Sequence, residues 1–546
     1  MRRLQSLLVL APLALAIACS GTEPDIAPDP SDPVLTIASP ERGTVAGEDV
    51  LVVRGTATDL DSGVAGVSVN GTAAILEGDQ FRAEISLTPG INTIETVASD
   101  KSGNQTVDVR AALRGEFAAP GAVDDALAVR LGPGALRTIG DTAATAIASA
   151  DLEPTIATVN PVLDKGGSCL GARADVTSIE FGALDISIVP IERALSVAAQ
   201  VSDLAVGVHL DYDIACIGGR RDIVTSAASV TIGVTVEAGV SGDAFVFDTT
   251  EASVSLEDVD LGIGGLPTAL IELIVGDIEE KIADALESVL IAELEPRLQA
   301  SFDQLLESRT VTVLGRELTI TAVPRTLQIA EDGVDLTISS NVAASGAAST
   351  GYVASREQVP TLSGELGAAI ADDAINQALG TLWASGALAR EIPLSGDSGA
   401  DLGAGIADSI AIDALLPPTI SFEDSGGARI EIADLIVSLS REGSAVSDLA
   451  VSAVIEVNVV SDGAGIVLRA SEPELLLQRL TPDGFLNESD VNILGAFLSN
   501  YLHGDLDALI GEIPLPAFAG TTVADVSAQP SGGYLTLVGS LRLGAP

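Results

Sequence analysis

Lysine is nearly absent from this sequence: Lys101, Lys165 and Lys281 are the only three, and in total 27 basic residues face 77 acidic ones. Proteins grip phosphate backbones with clustered Lys and Arg, so nucleic acid is excluded as a partner. Histidine is scarcer still, with His209 and His503 alone. A Ser/His/Asp triad or a multi-histidine zinc centre would have to draw on these two. His209 shares an alternating face with Asp211 and Asp213, an arrangement that suits a solvated strand face better than a metal centre. Aromatics amount to ten Phe, four Tyr and one Trp, without the clusters that would stack on sugar rings. Carboxylates are so abundant that no pair stands out for glycoside hydrolysis. The expectation is a protein that is not an enzyme and uses no cofactor.

Long apolar runs are missing as well, apart from one at the start. Residues 4–18 form an uncharged apolar stretch behind Met1-Arg2-Arg3, too short to span a bilayer as a helix, and they read as a signal peptide over residues 1–18. The stretch ends Leu15-Ala16-Ile17-Ala18-Cys19-Ser20, which resembles a bacterial lipobox. Cys19 is therefore the expected lipidation site and the membrane anchor, placing the protein in the bacterial envelope at the outer membrane. Residues 19–33, rich in Pro and Asp, form a tether with too little apolar surface to fold. The formal charge of −50 includes Arg2 and Arg3, so without the signal peptide it becomes −50 − 2 = −52. Such acidity favours solubility and repels anionic surfaces. Of the three cysteines, Cys169 and Cys216 remain. In an exported protein a disulfide between them is expected ahead of two free thiols, stabilising by about 4 kcal/mol in a chain-entropy account.

What the sequence has in quantity is Ala, Val, Leu, Ile and Gly, in two kinds of pattern. Residues 34–113 alternate apolar and polar in short runs between Gly, Asp and Asn turns, as β-sandwiches do. Pro40-Glu41-Arg42-Gly43-Thr44, Val67-Ser68-Val69-Asn70-Gly71, Pro89-Gly90-Ile91-Asn92 and Ala98-Ser99-Asp100-Lys101-Ser102-Gly103-Asn104 resemble bacterial immunoglobulin-like modules, which implies a spacer or adhesion role. Asp59 and Asp61 are the candidate calcium ligands there, weighed against a plain Asx turn, the commoner use of such residues.

Beyond a linker at 115–121 the pattern becomes helices alternating with long strands. Leu136, Ile139, Ala143 and Ile147 predict a helix over 134–150. Leu204, Val206, Val208, Leu210, Tyr212, Ile214 and Cys216 predict a half-buried strand, and Val230, Ile232, Val234 and Val236 another. Leu or Ile every fourth residue, Ile274 and Ile278 among them, predicts a long helix over 266–306, with Pro296 placed to kink or divide it. Strands follow over 310–343. A helix over 362–388, strands around 449–459, a helix over 489–510 and strands over 523–543 then repeat the order.

Pro120-Gly121, Ala128-Val129-Arg130-Leu131 with Gly134-Ala135-Leu136, the stretch Ile375-Asn376-Gln377-Ala378-Leu379-Gly380-Thr381-Leu382-Trp383, and Ile513-Pro514-Leu515-Pro516 with Tyr534-Leu535-Thr536-Leu537 resemble the bactericidal/permeability-increasing protein family over residues 120–543. The resemblance implies an α+β fold: the all-β immunoglobulin-like sandwich (34–113) followed by two tandem tubular domains (120–345 and 346–546), each a twisted antiparallel sheet wrapped around a long helix. It also implies an apolar pocket between helices and sheet for lipid acyl chains. The family's basic tip has no counterpart here, since Arg220-Arg221 is the sole adjacent basic pair after residue 3 and Asp222 follows it.

The expected ligand contacts are Leu136, Ile139, Ile147, Ile274, Ile278, Ile370, Leu379 and Leu382, each weighed against a role as dry core. The partner they imply is a lipid or another hydrophobic molecule. The alternative is a structural or adhesion lipoprotein with no ligand pocket.

Overall fold

A computed structural model describes residues 30–115, 121–149, 157–158, 160–167, 169–264, 268–345, 358–394, 406–423, 427–461, 466–481, 486–510, 512–513 and 521–543. The signal peptide and Cys19 lie outside the described residues. Backbone contacts divide the chain into one unit of Met1–Ser39, Val52–Ile85 and Glu95–Asp108, and a second of Pro40–Leu51, Ser86–Ile94 and Val109–Pro546.

In the first unit, strand Val34–Ser39 pairs antiparallel with Val50–Thr58, and Val64–Val69 pairs with Gly90–Asp100. Ile37, Val53, Ala57, Val69, Phe81 and Ala98 are buried, the inward half of the alternation that the sequence displays. Asp59 Oδ1 accepts hydrogen bonds from the Ser62 amide (2.7 Å) and hydroxyl (3.2 Å) and from the Gly63 amide, while Asp61 accepts from Ser31 Oγ at 3.2 Å. Asp59 thus closes its own Asx turn. Among the described residues no His/Cys/Asp/Glu group is arranged to hold a metal ion, so the calcium expectation at Asp59 and Asp61 finds no site.

The second unit corrects the expected fold class. The protein is mostly β, 62% strand against 15% helix, built of curled half-barrel sheets, and among the described residues no long helix is wrapped by a sheet. The described helices are α1 (Pro133–Ala148), α2 (Thr268–Asp303), α3 (Asp372–Ala384) and α4 (Glu488–Ile510). The reason lies in the strands. Ala194–Ile214 pairs from end to end with residues 217–237 of Ile217–Ser241 through a two-residue turn at Ala215-Cys216. Such long, strongly twisted strands curl onto themselves and bury Leu204, Val206, Val208, Leu210, Val230, Ile232, Val234 and Val236 against one another's neighbours. In α2, a strict four-residue repeat drifts against the 3.6-residue turn, so no narrow stripe forms to sit inside a tube. Its buried anchor is at the C-terminal end, where Phe302 packs 5.5 Å from Phe245 and 5.0 Å from Phe247, ring to ring. Pro296 lies within α2 without ending it.

Three sheets carry this unit. One runs Leu163–Gly167, Leu170–Glu180, Ala194–Ile214, Ile217–Ser241, Ala244–Glu257; another runs Arg390–Pro393, Ser409–Ala414, Ala428–Arg441, Ser444–Ser461, Ile466–Ala470, Glu512–Ile513. The third is a seven-stranded sheet that gathers strands from before, between and after these two in sequence, ordered Arg309–Val313, Arg316–Ala330, Gly333–Ala344, Val123–Leu131, Leu366–Ala371, Tyr534–Leu543, Thr521–Ser531. The strand Leu366–Ala371 corrects the helix expected over 362–388: only 372–384 is helical. Leu-Gly-Ala-Ala-Ile-Ala reads as helix by propensity. Paired on both sides, to 127–131 and to 534–539, and buried on both faces, it shows no alternation.

Cys169 and Cys216 form the disulfide. Cys216 sits not on the strand but in its turn, where Ala215 and Cys216 both have positive φ (49° and 64°), the backbone required by a two-residue hairpin turn of this hand.

Candidate functional site

Helix α3 starts where the central strand Leu366–Ala371 stops, and polar side chains pin it in place. Asn376 behaves as a strand partner for Ile420, accepting from its amide at 2.7 Å and donating to its carbonyl at 2.9 Å. Gln377 accepts from the Val342 amide at 2.8 Å and donates to the Gly121 carbonyl at 2.6 Å. Trp383 Nε1 donates to the Ala414 carbonyl at 2.7 Å. Each bond satisfies a group that burial would otherwise penalise by about 1–3 kcal/mol, so the helix has one orientation available. It turns Leu379 toward an apolar cavity of about 70 Å³.

The cavity's floor comes from the sheet. Ile412 and Ala414 line it from Ser409–Ala414, and Ile430, Ile432 and Leu435 from Ala428–Arg441. Residues 430 and 432 follow the two-residue period; 435 does not. A bulge between Ile432 and Leu435, with Asp434 at φ 46°, inserts the extra residue that returns Leu435 to the same face. Leu502 of α4 closes one side and is buried. Leu314, Leu388, Arg390 and Tyr501 are half-buried and mark the side nearer solvent. Arg390, the one charged group in the lining, donates from Nη1 to the Tyr501 hydroxyl at 3.3 Å.

Of the expected ligand contacts, Leu379 alone lines this cavity. Leu136, Ile139 and Ile147 of α1 lie in the dry core against the first curled sheet, and Ile370 packs against the core of the second. Leu382 belongs to a small cluster with Leu318, Val342 and Ala387. The side chains of Ile274 and Ile278 lie outside the described residues. The lining strands Ser409–Ala414 and Ala428–Arg441 were not among the expected ones; the bulge at Asp434 breaks the two-residue period of the second, and nothing in α4 distinguished Tyr501 and Leu502 from core.

The polar features lie elsewhere. His209 Nδ1 is 2.5 Å from Asp222 Oδ1, and Nε2 is 3.8 Å from Asp211 Oδ2. The hydrogen bond to Asp222 and the nearby carboxylates raise the imidazole pKa against a smaller opposing effect of burial. Asp222 is opposite His209 because the turn at 215–216 pairs residues equidistant from it, a relation that placing the turn would have disclosed. An open polar cleft near the disulfide brings Lys165, Arg173 and Arg220 among Asp164, Asp211 and Asp213. Arg173 already pairs with Asp175 at 3.1 Å and Asp164 at 3.7 Å, so this end is charge-balanced, not a basic tip.

Among known proteins, the family described as Glucodextranase, domain B matches residues 33–113. No curated protein matches the chain. Among solved structures, a lipopolysaccharide binding protein is 16% identical with a TM-score of 0.45, covering 78% of this chain and 100% of its own. P47 of Clostridium botulinum E1 is 8% identical with a TM-score of 0.28, covering 77% and 100%. Latherin, in its solution structure, is 16% identical with a TM-score of 0.20, covering 31% and 85%. At these scores the likenesses carry no functional argument.

Proposed function

We propose that this protein is a non-enzymatic carrier of a hydrophobic ligand, tethered to the bacterial outer membrane through an acylated Cys19. The observation behind the proposal is the cavity between α3, α4 and the bulged strand, whose lining is aliphatic apart from Arg390 and Tyr501. Burial of apolar area at about 25 cal/mol per Å² supplies the affinity. The anchor follows from the lipobox-like sequence, and among the described residues no helix is long and apolar enough to cross a membrane. A distant relation of residues 120–543 to the bactericidal/permeability-increasing protein family, with halves meeting near residue 345, is part of the same proposal. Native mass spectrometry of gently extracted protein, paired with uptake of a fluorescent phospholipid, tests it. Absence of both co-purifying lipid and uptake overturns it. For residues 33–113, which match the family described as Glucodextranase, domain B, the second reading is a spacer, which glycan binding by the full chain would turn into adhesion.

A further inference from the structure

The hairpin turn Leu314-Gly315 carries a residue that its backbone disfavours and that the cavity beside it uses. Val313 pairs with Arg316 across the turn, whose two central residues have φ of 48° and 75°. Asn70-Gly71 has the same pair of values, and Glu442-Gly443 has 51° and 75°. Turns of this hand need positive φ at both positions and favour Asn-Gly. Among the described residues eleven non-glycine positions have positive φ; six are Asn or Asp, and Leu314 alone has a branched aliphatic side chain, the kind that this conformation penalises. Asn70 and Glu442 are exposed, as hairpin turns usually are, whereas Leu314 is half-buried. It lines the cavity opposite Leu379 and Leu388 and packs against the small cluster of Leu318, Val342 and Leu382. Resting on the carrier function proposed above, we propose that Leu314 is the gate of the cavity: its side chain closes the solvent side, and the tip of the hairpin swings outward to pass the apolar part of a ligand.

The hairpin is free to move at this end. Arg309–Val313 is an edge strand paired with residues 316–320, and residues 309–312 are exposed. On its inner side Arg316–Ala330 parts from Gly333–Ala344 at the pair Leu318–Ala344. Just past that pair the Ser345 amide donates to the Glu317 carbonyl at 3.3 Å, and residues 314–316 run on as the tip. Buried Leu318 is the fixed point of the movement. The other described lining residues all lie between 379 and 502, on α3, α4 and the sheet between them, so Leu314 is the part of the wall that can leave without unpacking the second core. Opening strips a half-buried leucine of its apolar contacts, which makes the open form scarcer by about five- to tenfold than it would be without that side chain. A gate governs passage in both directions, so entry and exit speed up together when it is removed. A residue that merely lines the wall changes exit.

The experiment is stopped-flow fluorescence of the full-length protein with the uncharged dye Nile red, entry being read on mixing and exit on transfer to phosphatidylcholine vesicles. Leu314→Asn is expected to speed entry and exit together by about five- to tenfold and to leave the equilibrium affinity little changed. Its urea midpoint should equal or exceed the parent's, because Asn-Gly is the pair this turn favours. Leu314→Met, apolar and of like volume, should keep the parent's rates. Leu379→Ala, from the buried wall on α3, should speed exit with entry unchanged and lower the urea midpoint. Unchanged rates in Leu314→Asn, or faster exit with unchanged entry, overturn the gate and leave the carrier function standing. Faster rates accompanied by a fall in midpoint as large as that of Leu379→Ala trace the effect to loosened packing and overturn it as well. Nile red uptake by none of the proteins overturns the gate, and if fluorescent phospholipid is not taken up either, the carrier function falls with it.

Discussion

Asp434, the bulge residue beneath the cavity, invites the most searching perturbation. Its side chain is 1% exposed and accepts from Arg42 Nη1 at 2.8 Å, the Gly43 amide at 2.9 Å and the Ala111 amide at 3.2 Å. All four residues belong to the second unit. Arg42, 13% exposed, also donates to the Val109 carbonyl and to Gln478 Oε1, each at 2.8 Å. Asp434→Ala leaves a buried guanidinium short of its counter-charge and two amides without acceptors. Breaking a buried pair from one side costs about 3–5 kcal/mol, and alanine tolerates the left-handed backbone less well than aspartate. Asp434→Asn is informative because it is not conservative here. One oxygen receives the guanidinium and the other the two amides, so whichever becomes NH₂ faces a donor, at a cost of about 2 kcal/mol or more. Urea unfolding should show the midpoint falling with the slope unchanged, and hydrogen exchange should speed up at Gly43 and Ala111. Both variants lying within about 0.5 kcal/mol of the parent, the range of an ordinary surface change, would refute the account.

Three further outcomes follow from other parts of the molecule. Phe302→Ala, emptying the space against Phe245 and Phe247, should cost about 3–5 kcal/mol, with Phe302→Leu costing clearly less in the same urea titration. Burial raises the pKa of Glu431, only partly offset by Arg429 and by the Ile91 amide. A carboxyl whose folded pKa is raised contributes stability present below its unfolded value and lost as pH rises through the folded one, so Glu431→Gln should stabilise at pH 7. That advantage should vanish below the usual carboxylate range, and an equal gain at both pH values would show another cause. Cys19→Ser should leave the protein unacylated and shift it from membrane to soluble fractions on cell fractionation, whereas retention in the membrane would point to a second anchor.

The sequence was most transparent where one face is wet. Leu204 to Leu210 and Val230 to Val236 alternate as they bury, and α1 and α4 lie within two residues of their expected bounds. It was opaque where both faces are covered: Leu366–Ala371 has no period to reveal it as a strand, and its alanines argue for a helix. The four-residue rhythm of α2 announced a long helix, yet a rhythm on one element says nothing of whether a sheet closes around it. For the site, the aliphatic chemistry was legible and the membership was not. Leu136 and Leu379 look alike in sequence, and only the pins at Asn376, Gln377 and Trp383 set one of them against empty space. Asp434 was hidden for a different reason, since its meaning depends on Arg42, 392 residues away.

The place of Leu366–Ala371 in the central sheet also governs the order in which the molecule can assemble. Its neighbours are 127–131 on one side and 534–539 on the other, so one edge must wait for a strand near the C-terminus. Contacts so distant in sequence are slow to form, because loop closure precedes any reward. Until the last hairpin arrives, a short, uncharged, alanine-rich strand presents an open edge, the kind of edge that recruits other chains. The dense negative charge of the rest of the chain then has a task before folding is finished: it makes two half-assembled copies repel each other.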